Sequence, residues 1–228
     1  MTDIKKHWLL NLAHLYSVRL DHLFPEFKSM TLNVVPFPNY DSLQLSSDLI
    51  ELLLNEEIAV SGEWQRSCPQ EEAVYEIQQF GLGSNTRHFS FKLTQKGGVE
   101  WERLARPKWE RFIKCEDAFD SDNLLTNSCL ASSQSTLIVA YLGWYRPLRG
   151  FALMPETIEW QTKTEYPITY WKLLNRVEQA TFRCAIEEGR TSDAYHYPIW
   201  LRNWWREQSK WHTKPWQRSE WEWERDDS

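Results

Sequence analysis

No lysine or arginine occurs between Ser29 and Gln65, a stretch that holds Asp41, Asp48, Glu51, Glu56, Glu57 and Glu63. Its formal charge of −6 equals that of the whole 228-residue chain. Such a stretch repels polyanions, because affinity for nucleic acid depends on neutralising phosphate. Cysteine is sparse as well: Cys68, Cys115, Cys129 and Cys184 lie far apart and form no CxxC pair. That argues against a disulfide framework or a zinc ribbon and for reduced thiols in a cytoplasm. No run approaches the ~18 uninterrupted apolar residues of a spanning helix, so no membrane role is expected. The opening MTDIKKHWLLNLAHLY reads neither as a signal peptide nor as an anchor.

Catalytic motifs are missing too. His7, His14, His22, His88, His196 and His212 show no HExxH-like spacing. Gly81-Leu82-Gly83 lacks the third glycine and the βαβ setting of a dinucleotide site, and there is no GxSxG or Walker loop. Asp117, Asp120 and Asp122 begin like a calcium loop, but no glycine follows where one is required. Glu56–Glu57 and Glu71–Glu72 read as surface charge. The expectation is a protein without catalytic residues, cofactor or metal.

What is present is a globular composition, 42% hydrophobic and 25% charged, with 14 tryptophans. The length suits one large or two small domains. Residues 4–24 predict an amphipathic helix, with Trp8, Leu12 and Leu15 opposite Lys5, Lys6 and Arg19. Residues 31–40 contain two prolines and predict an extended segment. Ser46, Ser47 and Asp48 offer N-caps to a helix through LIELLLNEE, and Ile58–Val60 reads as a strand. Phe89, Phe91 and Leu93 alternate with Ser90, Lys92 and Thr94, the period of a half-buried strand. Gly97 and Gly98 read as a turn, with Thr94 available as a cap. Beyond them Trp101, Leu104 and Ala105 share one helical face, and Pro107 marks its end.

Helix, short strand, hairpin through Val74–Phe80 and GLGSNTRH, a strand ending in Leu93-Thr94-x-x-Gly97, and a return helix together resemble a winged-helix domain. The resemblance covers Ser46 to Phe112 and rests on the LTxxG element. It implies a recognition helix, SSDLIELLLNEE, followed by a wing, and a role as a DNA reader or a protein-binding module.

Charge separates those two roles. The helix that would enter a groove supplies Asp48, Glu51, Glu56 and Glu57 and no cation. The favoured reading is therefore a protein-binding module that presents Asp41, Asp48, Glu51, Glu56 and Glu57, with Trp204 and Trp205, to a basic partner. An immunity-type inhibitor of a nuclease toxin and a regulatory adaptor are both uses of such a surface. The alternative is a transcriptional regulator that touches DNA through Arg87, Lys92, Lys96, Arg103, Arg106 and Lys108. Those residues lie in Thr86–Glu116, where eight cations face four carboxylates.

The remainder predicts a second domain. Polar residues 117–135 read as a linker between a winged-helix-like domain over 1–116 and a β-rich, Trp-rich domain over 136–228. Strands are expected at 136–145, 157–162, 166–171 and 177–184. A helix starting near Pro198 would close the domain. Trp200, Leu201, Trp204 and Trp211 would line its apolar face, and its cations could hold single-stranded nucleic acid or simply pack. The fold class expected is α+β.

Overall fold

Thr2 caps the first helix, α1 (Asp3–Leu12), its side chain accepting from the Lys5 amide. The computed structural model describes residues 1–15, 18–19, 41–61, 68–80, 89–119, 125–143, 151–186 and 210–213. The chain is α+β, and its described residues divide into two compact units. One takes in Met1–Arg106, Thr169–Trp171 and Thr213; the other takes in Pro107–Ile168 and Lys172–His212. Among the described residues no helix is long and apolar enough to cross a membrane.

In the first unit, α1 buries His7, Trp8, Leu9 and Leu10. It stops well short of residue 24, and Val18–Arg19 form a short strand, β1, instead of continuing the helix. Helix α2 (Ser42–Leu54) begins on Asp41, whose carboxylate accepts from the Gln44 amide at 2.8 Å. The predicted caps Ser46 and Asp48 lie inside the helix, both buried. At its far end Glu56 takes a left-handed φ of 57°. The Glu57 amide then bonds Leu52 C=O and the Glu56 amide bonds Leu53 C=O, a Schellman closure with glutamate where glycine is usual.

Strands β2 (Ile58–Ser61) and β3 (Ser90–Leu93) pair antiparallel, and β1 pairs with the other side of β3, giving the order β1-β3-β2. Between β2 and β3 the expected hairpin through Val74–Phe80 is replaced by a helix, α3 (Gln70–Phe80). Thr94 caps the next helix, α4 (Gln95–Ala105), as the sequence predicts. Gly97 and Gly98 lie in its first turns rather than in a loop. Arg106 then turns left-handed ahead of Pro107 and ends it.

Burial has a pH consequence in this unit. His7 is 2% exposed, and burial pushes its imidazole down from 6.5 to about 4. The folded state favours the neutral ring, so this contribution is whole above pH 6.5 and is lost as pH falls towards 4. The loss should reach about 3 kcal/mol below that pH. Urea unfolding at pH 7 and pH 4.5 should show it, and the drop should shrink in His7→Gln by a comparable amount.

The second unit opens with a single turn at Trp109–Arg111, then β4 (Lys114–Phe119) and β5 (Leu125–Ser132). The presumed linker at 117–135 is thus largely a β-hairpin, and the unit boundary falls at Arg106–Pro107. Its polarity misleads because the side chains are satisfied internally. Ser128 donates to Asp117 at 2.7 Å, and buried Ser132 donates to Phe112 C=O at 2.9 Å.

The apolar run expected as a strand at 136–145 forms helix α5 (Ser135–Gly143). Strands β6 (Phe151–Pro167) and β7 (Leu173–Ile186) complete an antiparallel sheet of order β4-β5-β7-β6. Residues 166–171 are not one strand, since β6 ends at Pro167. Ile138 and Tyr141 of α5 pack with Leu130, Ala180, Phe182 and Cys184 on one sheet face. Lys210–Thr213 is a turn, where Trp211 packs on Phe112 with ring centroids 4.6 Å apart. The rest of the expected C-terminal helix, Trp204 and Trp205 included, lies outside the described residues.

Candidate functional site: the outer face of α2 and α3

Helix α2 carries more leucine than one buried face can use. Leu45, Leu49, Leu52 and Leu53 go inward. Leu43, Ser47, Ile50 and Leu54 recur at i, i+4, i+7 and i+11, a second stripe. Leu43 is 82% exposed and Leu54 62%. The two exposed leucines stand three turns apart on one side of the helix, with Ser47 and half-buried Ile50 between them.

The predicted acidic set divides on burial. Asp41 and Glu56 are exposed, and so is Glu51, which meets the Met1 amino group at 3.2 Å. Asp48 is 2% exposed and accepts from Gln44 Nε2 at 3.0 Å. Glu57 is 6% exposed and holds Lys6 Nζ at 2.7 Å. These two carboxylates therefore face inward, a correction to the sequence reading. Their partners explain it: Gln44 sits one turn before Asp48, and Lys6 comes from α1.

Lys6 also reaches Glu100 at 3.1 Å, which in turn binds Arg103 at 2.9 Å. Burial works against the Lys6 charge, but hydrogen bonds to Glu57 and Glu100 outweigh it and hold the ammonium above its usual range. Arg103 lowers the Glu100 carboxyl in the same way. The network ties α1, α4 and the turn after α2 together.

Helix α3 supplies the acidic residues that sequence reasoning set aside. Glu71 and Glu72 are exposed in its first turn, where the helix dipole favours them. Tyr75 is 57% exposed. Between α3 and the end of α2 lies an open groove of about 680 Å³ lined by Leu54, Pro69, Glu71, Val74, Tyr75 and Gln78. Gln70 holds its base by donating to Leu53 C=O at 2.7 Å. Residues 41–61 and 68–80 contain no lysine, arginine or histidine. The described lining combines Leu54, Pro69, Val74 and the Tyr75 ring with the Gln70 and Gln78 amides and one carboxylate, Glu71, which suits a side chain that is apolar along its length and positive at its tip.

The chain matches no family model, no curated protein and no solved structure. The site must be judged on its own chemistry.

Of the alternative cations, Lys92, Lys96, Arg103 and Arg106 lie among the described residues of the first unit. Arg87 lies outside the described residues, and Lys108 belongs to the second unit. Arg103 is engaged by Glu100 and, at 3.5 Å, by Asp3. Lys92, Lys96 and Arg106 are exposed. Lys96 and Arg103 are two turns apart on α4, and Glu100 stands between them.

In the second unit the sheet face opposite α5 sets polar groups beside buried Ala131 and Val177. Gln179 donates to Cys129 Sγ at 2.8 Å, and Tyr166 is pushed up to about 12, mainly by burial. That phenol stays protonated at neutral pH and offers a donor rather than a base. Among the described residues no group of three His, Cys, Asp or Glu could hold a metal ion.

Proposed function

We propose that the first unit is a winged-helix-like protein-binding module whose α2–α3 face receives a basic amphipathic segment of another protein. The observation that carries this reading is the α2–α3 groove, where Leu54 and Tyr75 are exposed beside Glu71 and, among the described lining residues, there is no lysine, arginine or histidine. The order β1-β3-β2, with α2 leading into β2 and Thr94 capping α4, supports the winged-helix comparison. In that comparison α3 occupies the wing, and α2 is the helix that would enter a DNA groove. Leucine, serine and glutamate are poorly suited to that task, since base edges are read by Arg, Lys, Asn and Gln. An inhibitor masking the basic cleft of a nuclease, or an adaptor, would use such a face. The four cysteines are free thiols, which supports a cytoplasmic setting.

The test is a fluorescence-anisotropy titration with an arginine-rich amphipathic helical peptide across a salt series, run beside a mixed-sequence DNA duplex. Binding to the peptide should weaken with salt. Leu54→Lys combined with Tyr75→Lys should weaken it by about tenfold or more, the scale of an interface anchor. Peptide binding indifferent to salt and to these substitutions would sink the proposal. Tighter binding to the duplex, lost on replacing Lys92, Lys96 and Arg106, would favour the DNA alternative.

A further inference from the structure

Among the described residues strand β6 is the longest, and it pairs only with β7. Its outer edge therefore has, among the described residues, no neighbouring strand for its backbone N–H and C=O groups. Natural edges of this kind are usually broken by proline, a bulge or a short length. Here the register with β7 is regular from Glu159 to Thr164, after an irregularity between Met154 and Glu159 and before Glu165, which has a φ of 52°. Pro155 and Pro167 flank this run without entering it. Residues 159–165 are all exposed, Trp160 to 46%.

We propose that this edge pairs antiparallel with the same edge of a second copy, centred on Gln161, to join two four-stranded sheets into one of eight. The register follows from side chains. Two copies related by an axis through Gln161 set Glu159 opposite Lys163 on one face and Trp160 opposite Thr162 on the other, each pair occurring twice. An opposite-charge pair and an aromatic against a β-branched residue are both favourable across strands. Shifting the centre to Thr162 sets Glu159 against Glu165 and draws in the left-handed residue. Moving it to Trp160 extends the pairing into the irregular stretch before Glu159. Only the Gln161 register keeps opposite charges in line within the regular run. The surface belongs to the second unit and is independent of the α2–α3 groove.

Sedimentation velocity over a concentration series tests the register. The unaltered protein should dimerise. Glu159→Lys and Lys163→Glu, each creating two like-charge pairs, should each weaken the dimer by roughly tenfold, and the double exchange should restore it to within about threefold. Both positions are exposed, and circular dichroism verifies that the variants fold. A protein that stays monomeric at the highest concentration reached overturns the proposal. So does a dimer that ignores the single exchanges or is not rescued by the double one.

Discussion

Replacing Trp101 by alanine should destabilise the first unit by about 4 kcal/mol, a large share of the total stability of a small domain. The side chain is wholly buried on α4. Its indole N–H donates to Asn11 Oδ1 at 3.2 Å, and its ring stacks on His14 at 4.9 Å with an interplanar angle of 18°. Trp171 meets it edge-on at 5.8 Å and donates its own N–H to His14 C=O at 2.8 Å. One truncation thus opens a cavity and removes a hydrogen bond and two ring contacts at once. Trp101→Phe keeps most of the volume and loses the donor, so about 1–2 kcal/mol is expected. Denaturant unfolding followed by circular dichroism gives both values. A cost under 1 kcal/mol for the alanine variant would show that this aromatic cluster is not the centre of the unit.

How far these elements can be read from the sequence depends on whether their signals are local. Strand β3 and helix α4 are legible because alternation, a threonine cap and an apolar face all lie within about twenty residues. Helix α3 is not. Val74, Tyr75 and Phe80 have strand propensity, and Val74 and Tyr75 do not face the core; Ala73 and Ile77, one turn apart, do. The acidic first turn at Glu71 and Glu72 was the signal for a helix. Helix α5 shows the ambiguity of a short apolar run, where periodicity cannot separate a strand from a buried helix.

The site was legible in sign but not in membership. The absence of cations is visible in the sequence and persists in the described lining of the α2–α3 groove, although the Met1 ammonium meets Glu51 on α2. That Glu57 points inward depends on Lys6, which lies 51 residues away in sequence. Asp48 had a local clue, Gln44 one turn earlier, that periodicity alone does not weigh. Leu43 and Leu54 were missed because any leucine in an amphipathic helix is first assigned to the core. The excess of leucine over what one face can bury was the available hint.

A methyl group at position 97 should be almost as damaging as the loss of Trp101. A Cβ added to Gly97 would lie 1.8 Å from the carbonyl oxygen of Glu57 and 2.8 Å from its carbonyl carbon. Both are backbone atoms, so no side chain can swing aside. That carbonyl is already fixed, accepting from the Thr94 amide at 3.1 Å, with the Thr94 hydroxyl oxygen 3.2 Å away. The same hydroxyl caps α4 at the Gly97 amide and reaches Glu56 C=O at 2.6 Å. Helix α4 and the Schellman turn after α2 are therefore joined backbone to backbone through one threonine, and only a residue without a side chain fits between them. Gly97→Ala should cost about 3 kcal/mol, because relief requires withdrawing a helix terminus from its hydrogen bonds to the turn. Ordinarily alanine stabilises a helix relative to glycine by about 1 kcal/mol, so the sign is the discriminating result. A Gly97→Ala variant as stable as the parent would mean that α4 does not approach the turn this closely.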